Sequence, residues 1–395
     1  MMRIYYFAST SNEPDGVVKK ILSQFLGLKE LCPDSKLFLL MRKPPSPQMR
    51  KLLDSLNDVF IEVIENTGVS RIKARKEKMQ KVIWLLESAE EDSIVYFRYP
   101  TADKNFLRVV KFITLRRNCL LVTEHQSLET KELLQQRKLL TLLSEKTYGR
   151  RVLRETTAFV GVTREITDYE LARSGDRSKP YLVNGNGIDV SSVPLRTPPV
   201  FDGKNLDLLC VAQVAKWHGL DRLIRGIAEY KGDVNVRLNI VGDGSEVPNL
   251  KRLVADLKLE NSVIFHGFKT GKELDEFFDM CHIAVGSLGV HRNGNNRKES
   301  STLKAREYCA RGIPFIYEIE DPEITNKIPE FVLKIPNDES PVEIHRIVEY
   351  AFYVLPNVGY TYEMRKFAED NLDWRTKMST LKSFLEGLSG KGGGE

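Results

Sequence analysis

The chain has 395 residues, with 59 Lys and Arg against 54 Asp and Glu for a formal net charge of +5, and is 42% hydrophobic and 29% charged. At roughly 150 residues per domain this length points to two domains and not one core, and so dilute an excess of charge is no nucleic-acid footprint, which needs cations clustered on one face. No stretch approaches the ~20 apolar residues of a spanning helix, MMRIYYFAST reads as a buried first strand and not a signal peptide, and the five scattered cysteines, never in a CxxC pair, argue against disulfides or zinc and for a reducing cytoplasm.

In chain order, short β-branched runs alternate with stretches of helical period: 3–8 then 17–31, 36–41 then 48–56, 59–63 then 71–88, and 93–97 then 106–115. Next come 119–123, one long charged helix over 133–153, a strand at 158–162 and a helix at 165–173. Strand and helix repeated this often predict a parallel sheet covered on both faces, with its chemistry in the loops after the strands' carboxyl ends. The rhythm breaks over 174–205, rich in Gly, Pro, Ser and Asn, and the later part reads as an interdomain linker. A second series follows: 206–212, 220–230, 236–241, 247–257, 262–265, 272–279, 283–286, 302–311 and 315–317, then helices at 344–353 and 373–388. The expected class is α/β, two doubly wound domains. The boundaries are 1–190, a linker at 191–205, 206–372, a helix at 373–390 packing back on the first domain, and a disordered tail at 391–395.

The first chemical candidate is Glu299-Ser-Ser-Thr-Leu-Lys-Ala-Arg-Glu307, which follows a predicted strand and runs into a helix ending near Gly312. Ser301 and Thr302 are good N-cap residues, so the helix would present N–H groups and the positive end of its dipole to phosphate. If all were helical, the two glutamates would stand ~12 Å apart along the axis at ~1.5 Å per residue, suited to gripping two ends of a ligand and not one bond. Lys304, one turn in, either adds a cation or is solvated.

This arrangement resembles the E-x7-E element of GT-B glycosyltransferases of the retaining family 4 type (glycosyltransferase group 1). LNIVGDGSEVPNLKRLVADL, VIFHGF, KAREYCARGIPFIY and VNGNGIDV are similar to further segments of that family. The resemblance implies a GT-B fold with the reaction in a cleft between domains. It implies Glu307 on the nucleotide ribose, Glu299 on the transferred sugar, and the amides of Ser301, Thr302 and Leu303 on the diphosphate, with Gly16, Gln213, Gly244 and Phe268 also at donor-binding positions.

Family members carry an Arg where Gln213 stands and a Lys where His218 stands, a pair that clamps the diphosphate. Here either Lys216 and a protonated His218 take over, or the charge comes from elsewhere, for instance Arg297 or Lys298. The resemblance also makes the loop at Gly16 a lid, unless Gly16 only serves a turn. It places His125, at a strand end, on the sugar or the acceptor hydroxyl, unless it is a satisfied strand-end histidine. Tyr99, Arg98 and Arg164 lie at element ends on the same side and could shape an acceptor pocket.

No GxGxxG follows the first strand, and no P-loop, G-x-S-x-G elbow or Asp-x-Asp pair occurs. No metal or resident cofactor is expected. The resemblance thus implies a metal-independent retaining hexosyltransferase that uses a UDP- or GDP-sugar and a glycan or lipid-linked acceptor in bacterial surface polysaccharide synthesis. No nucleic-acid partner is expected, and the helix over 131–155 would rest on anionic lipid at the inner membrane face or present an ordinary solvated surface. A GT-B epimerase, a phosphorylase or a sugar-nucleotide-binding protein without catalysis are the alternatives.

Overall fold

The computed structural model describes residues 2–54, 56, 58–63, 70–87, 89, 93–116, 119–294, 297–357 and 359–390. The tail expected at 391–395, and Ser88 at the end of the helix expected over 71–88, lie outside the described residues. The chain divides into two compact units, Met1–Gly187 with Trp374–Glu395, and Ile188–Asp373.

The first unit opens with β1 (Arg3–Ser9), α1 (Gly16–Leu31), β2 (Lys36–Met41), α2 (Pro47–Leu53), β3 (Val59–Val63), α3 (Arg71–Glu87) and β4 (Ser93–Arg98). It continues through α4 (Lys104–Thr114), β5 (Leu120–His125), α5 (Glu129–Gln135), α6 (Leu139–Glu155), β6 (Ala158–Gly161), α7 (Arg164–Ser174) and β7 (Tyr181–Val183). Among the described residues its strands form one parallel sheet in the order β3-β2-β1-β4-β5-β6-β7. The central strands β1, β2, β4, β5 and β6 are buried on both faces, as all-parallel sheets require, and the edge strands β3 and β7 are more open. Ile4, Tyr6 and Ala8 pack with α1, while Tyr5 and Phe7 pack with α3 and α4. Helix starts are set locally: Asp15 accepts from the amides of Val17 and Val18, Asp103 from Asn105 and Phe106, and Thr163 from Ile166. Each such cap contributes about 1 kcal/mol.

The single helix expected over 133–153 is two, α5 and α6, parted at residues 136–138, where Arg137 has φ 54°. A positive φ cannot continue a right-handed helix.

The second unit runs β8 (Asn205–Val211), α8 (Leu220–Glu229), β9 (Asn235–Val241), α9 (Val247–Asp256), β10 (Val263–Gly267), α10 (Lys272–Met280) and β11 (Ile283–Val285). It closes with α11 (Leu303–Arg311), β12 (Phe315–Tyr317), α12 (Pro322–Thr325), β13 (Val332–Lys334), α13 (Ile344–Val354) and α14 (Tyr360–Asn371). Its described strands form a parallel sheet in the order β10-β9-β8-β11-β12-β13. In both sheets the first strand lies between the second and the fourth, so the strand order reverses beside it, the point where doubly wound sheets open a crevice for ligands.

Residues 191–205 are no free linker. They belong to the second unit, anchored by Arg196. Its guanidinium is buried and donates to the carbonyls of Phe278, Cys281 and Gly312 and to the Tyr360 hydroxyl. The chain returns to the first unit as α15 (Trp374–Gly390), whose Trp374, Met378, Leu381 and Leu385 complete the core under α1. Gly27 on α1 permits the approach, since a Cβ there would stand 3.1 Å from the Trp374 carbonyl oxygen.

Candidate functional site

Four loops gather at the carboxyl ends of the second sheet. The loop after β9 is stitched to its neighbours by bonds from Val214 N to Asp243 O (2.8 Å) and from Gly242 N to Gly267 O (2.7 Å). Gly242 has φ 124°, and a Cβ there would run into the Ala212 carbonyl oxygen; one on Gly244 would run into that of Val214. Close packing of the loops after β8 and β9 thus accounts for the Gly-rich turn. Beyond β10, Phe268 stands 77% exposed, and Gln213 is exposed after β8.

At the other side of the crevice, α11 begins as the sequence predicts, with Thr302 accepting from Ala305 N at 3.2 Å. The amides of Leu303 and Lys304, in its first turn, have no acceptor within the helix. Ser301 is buried, Thr302 is exposed and Leu303 is 38% exposed. Glu299 is not helical: it forms a parallel bridge with Glu320, and Ser300 N donates to the Glu320 carbonyl at 2.7 Å. The helical rise therefore does not set its distance from Glu307, and an extended strap carries Glu299 to the amino terminus of α11.

Glu307 is partly buried, and Arg311 Nε donates to its Oε1 at 3.0 Å while Arg311 Nη1 donates to Asp275 at 2.8 Å. Arg311 itself lies over the Phe278 ring at 4.0 Å. One oxygen of Glu307 is thereby held in place. The i,i+4 spacing of Glu307 and Arg311 was a readable signal for this pair. No local spacing announces Glu318, which is buried and accepts from Val290 N at 2.8 Å and from the His291 ring. It ties the loop after β11 to the segment after β12.

One expectation for the missing clamp is corrected, that of a protonated His218. His218 is 6% exposed and its Nδ1 accepts from Ala215 N at 3.1 Å, which assigns the ring proton to Nε2. Burial first, and Lys304 second, push it down to about 3, so the ring is neutral near pH 7 and carries no clamp charge. Lys216 is exposed and lines an open groove of about 500 Å3 beside Asp221, Arg225, Glu246 and Arg292, on the side of α8 and α9. The lysine that lies near His218 is Lys304. Its Nζ is buried with no hydrogen-bond partner, it lies close enough to depress His218, and its own pKa is lowered by burial against the opposing pull of Cys210 and Glu307.

The cavity among Gly286, Ser300, Thr302, Tyr308 and Glu318 measures only about 40 Å3, room for water and not a sugar. Among the described residues no group of three or more His, Cys, Asp or Glu could hold a metal ion.

The first unit treats its candidates unequally. Gly16 is exposed at the start of α1, and a Cβ there would meet nothing within 4 Å. His125 is 2% exposed, enclosed by Tyr99 and Phe159, with Nε2 2.9 Å from Thr123 Oγ1 and Nδ1 3.7 Å from Glu170. Burial and Arg173 hold it well below its usual range. This correction replaces a sugar contact with a neutral ring inside the unit. Below it, Arg173 joins Glu170 to Glu145, and Glu145 accepts from Tyr99 Oη at 2.8 Å. Arg164 is held on the surface by Asp168 and Tyr181.

Residues 195–318, which contain Gln213, His218, Gly244, Glu299, Lys304 and Glu307, match the family model described as Glycosyl transferases group 1. No curated protein matches the chain in sequence. Among solved structures, HepE of Anabaena in complex with UDP aligns with a TM-score of 0.68 and 15% identity, covering 98% of this chain and 100% of that one. The lipopolysaccharide outer core galactosyltransferase WaaB, in its apo form, aligns with a TM-score of 0.68 and 15% identity over 98% and 99% of the two chains. Sucrose-phosphate synthase of Thermosynechococcus elongatus gives 0.67 and 16% over 99% and 100%. At these identities the likeness is one of fold. The two parallel-sheet units have the GT-B fold, and the second contains the residues that match the glycosyltransferase group 1 model.

Proposed function

We propose that the protein is a retaining, family 4-type glycosyltransferase that moves a hexosyl group from a UDP- or GDP-sugar, bound by its second unit, to an acceptor hydroxyl bound by its first. The observation that carries this reading is the amino terminus of α11 at the strand-order reversal of the second sheet, flanked by Glu299 and Glu307 and backed by the buried Nζ of Lys304. A carboxylate fixed through one oxygen, as Glu307 is by Arg311, can accept a ribose hydroxyl hydrogen bond at the other. Glu299 is assigned to hydroxyls of the transferred sugar. The first-turn amides and Lys304 stabilise the charge that grows on the diphosphate as its bond to the anomeric carbon breaks.

In the front-face step, the acceptor oxygen bonds the anomeric carbon on the side the phosphate leaves. The departing phosphate oxygen takes the acceptor proton, and the protein contributes position and charge stabilisation. No step calls for a metal ion. The WaaB and HepE descriptions, an outer core galactosyltransferase and a protein held with UDP and glucose, support a nucleotide-sugar donor and a role in surface polysaccharide synthesis with a glycan or lipid-linked acceptor. Contact with an anionic membrane from the cytoplasmic side rests on α5 and α6, where Leu134, Leu139, Leu140 and Leu143 are each more than half exposed among Lys131, Arg137, Lys138 and Lys146. No helix of the described residues is long and apolar enough to cross a membrane.

The test is a pair of variants assayed for transfer and for nucleotide binding. Glu299→Ala is expected to cut turnover by about 100-fold or more with little loss of nucleotide affinity, and Glu307→Ala to weaken the nucleotide by about 10-fold or more. Parental turnover and affinity in both variants would reject the site. Binding of sugar nucleotide without turnover in the parent would leave a binding protein on the same scaffold.

A further inference from the structure

The first sheet has its own point of strand-order reversal, between β1 and β4, and cations gather there. Lys78, on α3, is only 8% exposed, and its Nζ donates to Ser9 Oγ at 2.7 Å and to the Leu40 carbonyl at 3.2 Å, at the carboxyl ends of β1 and β2. Arg75, one turn earlier on the same helix, donates to Asp103 at 2.9 Å and to the carbonyls of Pro100 and Thr101 just past β4. Arg42 follows β2 and is exposed. Burial first, and then Arg75 and Arg42, push the Lys78 amine down to about 7.

Little balances this charge. Asp103 is already committed to Arg75 and to the amides that start α4. Glu62 pairs with Lys81, one turn further along α3. Among the described residues no carboxylate forms an ion pair with Lys78, while Thr10, the next residue after β1, has a buried Oγ1 with no hydrogen-bond partner. Burying an ammonium beside two guanidinium groups is costly, and a straight apolar side chain would fill the same slot without that cost. An arrangement of this kind is held at a loss to the empty fold and is recovered by an anion.

We propose that the carboxyl ends of β1, β2 and β4 form a phosphate site, in which Lys78 with Arg75 and Arg42 takes the charge and the hydroxyls of Ser9 and Thr10 donate hydrogen bonds. This deepens the functional reading above and rests on it in one respect: the phosphate is a part of the acceptor, so the acceptor is a phosphate-bearing molecule, either a soluble sugar phosphate or the phosphate head of a lipid. The binding claim itself stands on the first unit alone.

The experiment follows the Lys78 ammonium by NMR of the full-length protein, with lysine side chains isotopically labelled and assigned through Lys78→Arg. It uses saturating UDP, so that added phosphate does not reach the second unit. Inorganic phosphate, against chloride at matched ionic strength, is expected to raise the Lys78 pKa by at least one unit. Glucose 6-phosphate reports the soluble source, and vesicles of phosphatidylglycerol the lipid source; whichever also moves Lys78 identifies it. A Lys78 signal indifferent to phosphate, glucose 6-phosphate and vesicles, in protein that binds UDP, overturns the proposal and leaves the donor reading intact. UDP that does not bind, with a Lys78 signal that still answers to phosphate, has the opposite meaning. Lys78→Met is expected to raise the KM for a phosphate-bearing acceptor at least 10-fold while leaving UDP affinity unchanged; equal loss of both would also count against it.

Discussion

Single residues decide where the charge of the proposed donor site resides. With Gln213 and His218 at the positions where the resembled family has Arg and Lys, His218 is neutral and the buried amine of Lys304 lies near it. Lys304→Met is therefore expected to lower turnover by about 100-fold, the scale of removing one preorganised charge-stabilising group, without lowering the unfolding midpoint, because the side chain makes no hydrogen bond to lose. Equal turnover would assign the charge elsewhere. For His218 the sign follows from linkage. Its folded-state pKa, about 3, lies below the ordinary 6.5, so the folded protein binds fewer protons and loses stability as pH falls from about 6.5 toward 3. His218→Gln should flatten that part of the stability profile in urea titrations; a parental slope would contradict the neutral ring.

Elements explain what was legible in the sequence and what was not. Thr302 announces the start of α11 because a cap is a local bond, and the buried central strands read clearly, whereas the three-residue strands β7 and β13 were too short to stand out. The E-x7-E segment was legible for the same reason: its cap, helix and glutamates are close in sequence. The environment of His125 was not, since Glu170 and Arg173 reach it from α7 and Glu145 joins them from α6. Nor was the burial of Lys304, which depends on β8 and the loop to His218. The break at Arg137 has no Gly or Pro to mark it, yet it sets α5 and α6 as separate helices with leucines exposed across their junction. Replacing Leu139 and Leu140 by Asp is expected to abolish most co-sedimentation with phosphatidylglycerol vesicles, and neutral vesicles should bind weakly in either case. Undiminished binding would place any lipid contact off this surface.

At the scale of the whole molecule, composition pointed to two domains, and the fold has two units whose boundary is crossed twice, at Gly187/Ile188 and at Asp373/Trp374. The Gly- and Pro-rich stretch looked like a linker because irregular backbone and free linkers share a composition; only the contacts of Arg196 show it to be part of the second unit. Basic side chains gather in the Lys78, Arg75 and Arg42 cluster and on the flank of α5 and α6, while the Lys304 amine is buried in the second unit. The proposed function divides the labour, donor on the second unit and acceptor on the first. Its most direct test is calorimetric titration of UDP and GDP into the parent, Glu307→Ala and Lys78→Met proteins. The account predicts binding of one nucleotide to the parent, at least 10-fold weaker binding to Glu307→Ala, and parental affinity in Lys78→Met. Binding of neither nucleotide, or equal affinity in the parent and Glu307→Ala, would contradict it.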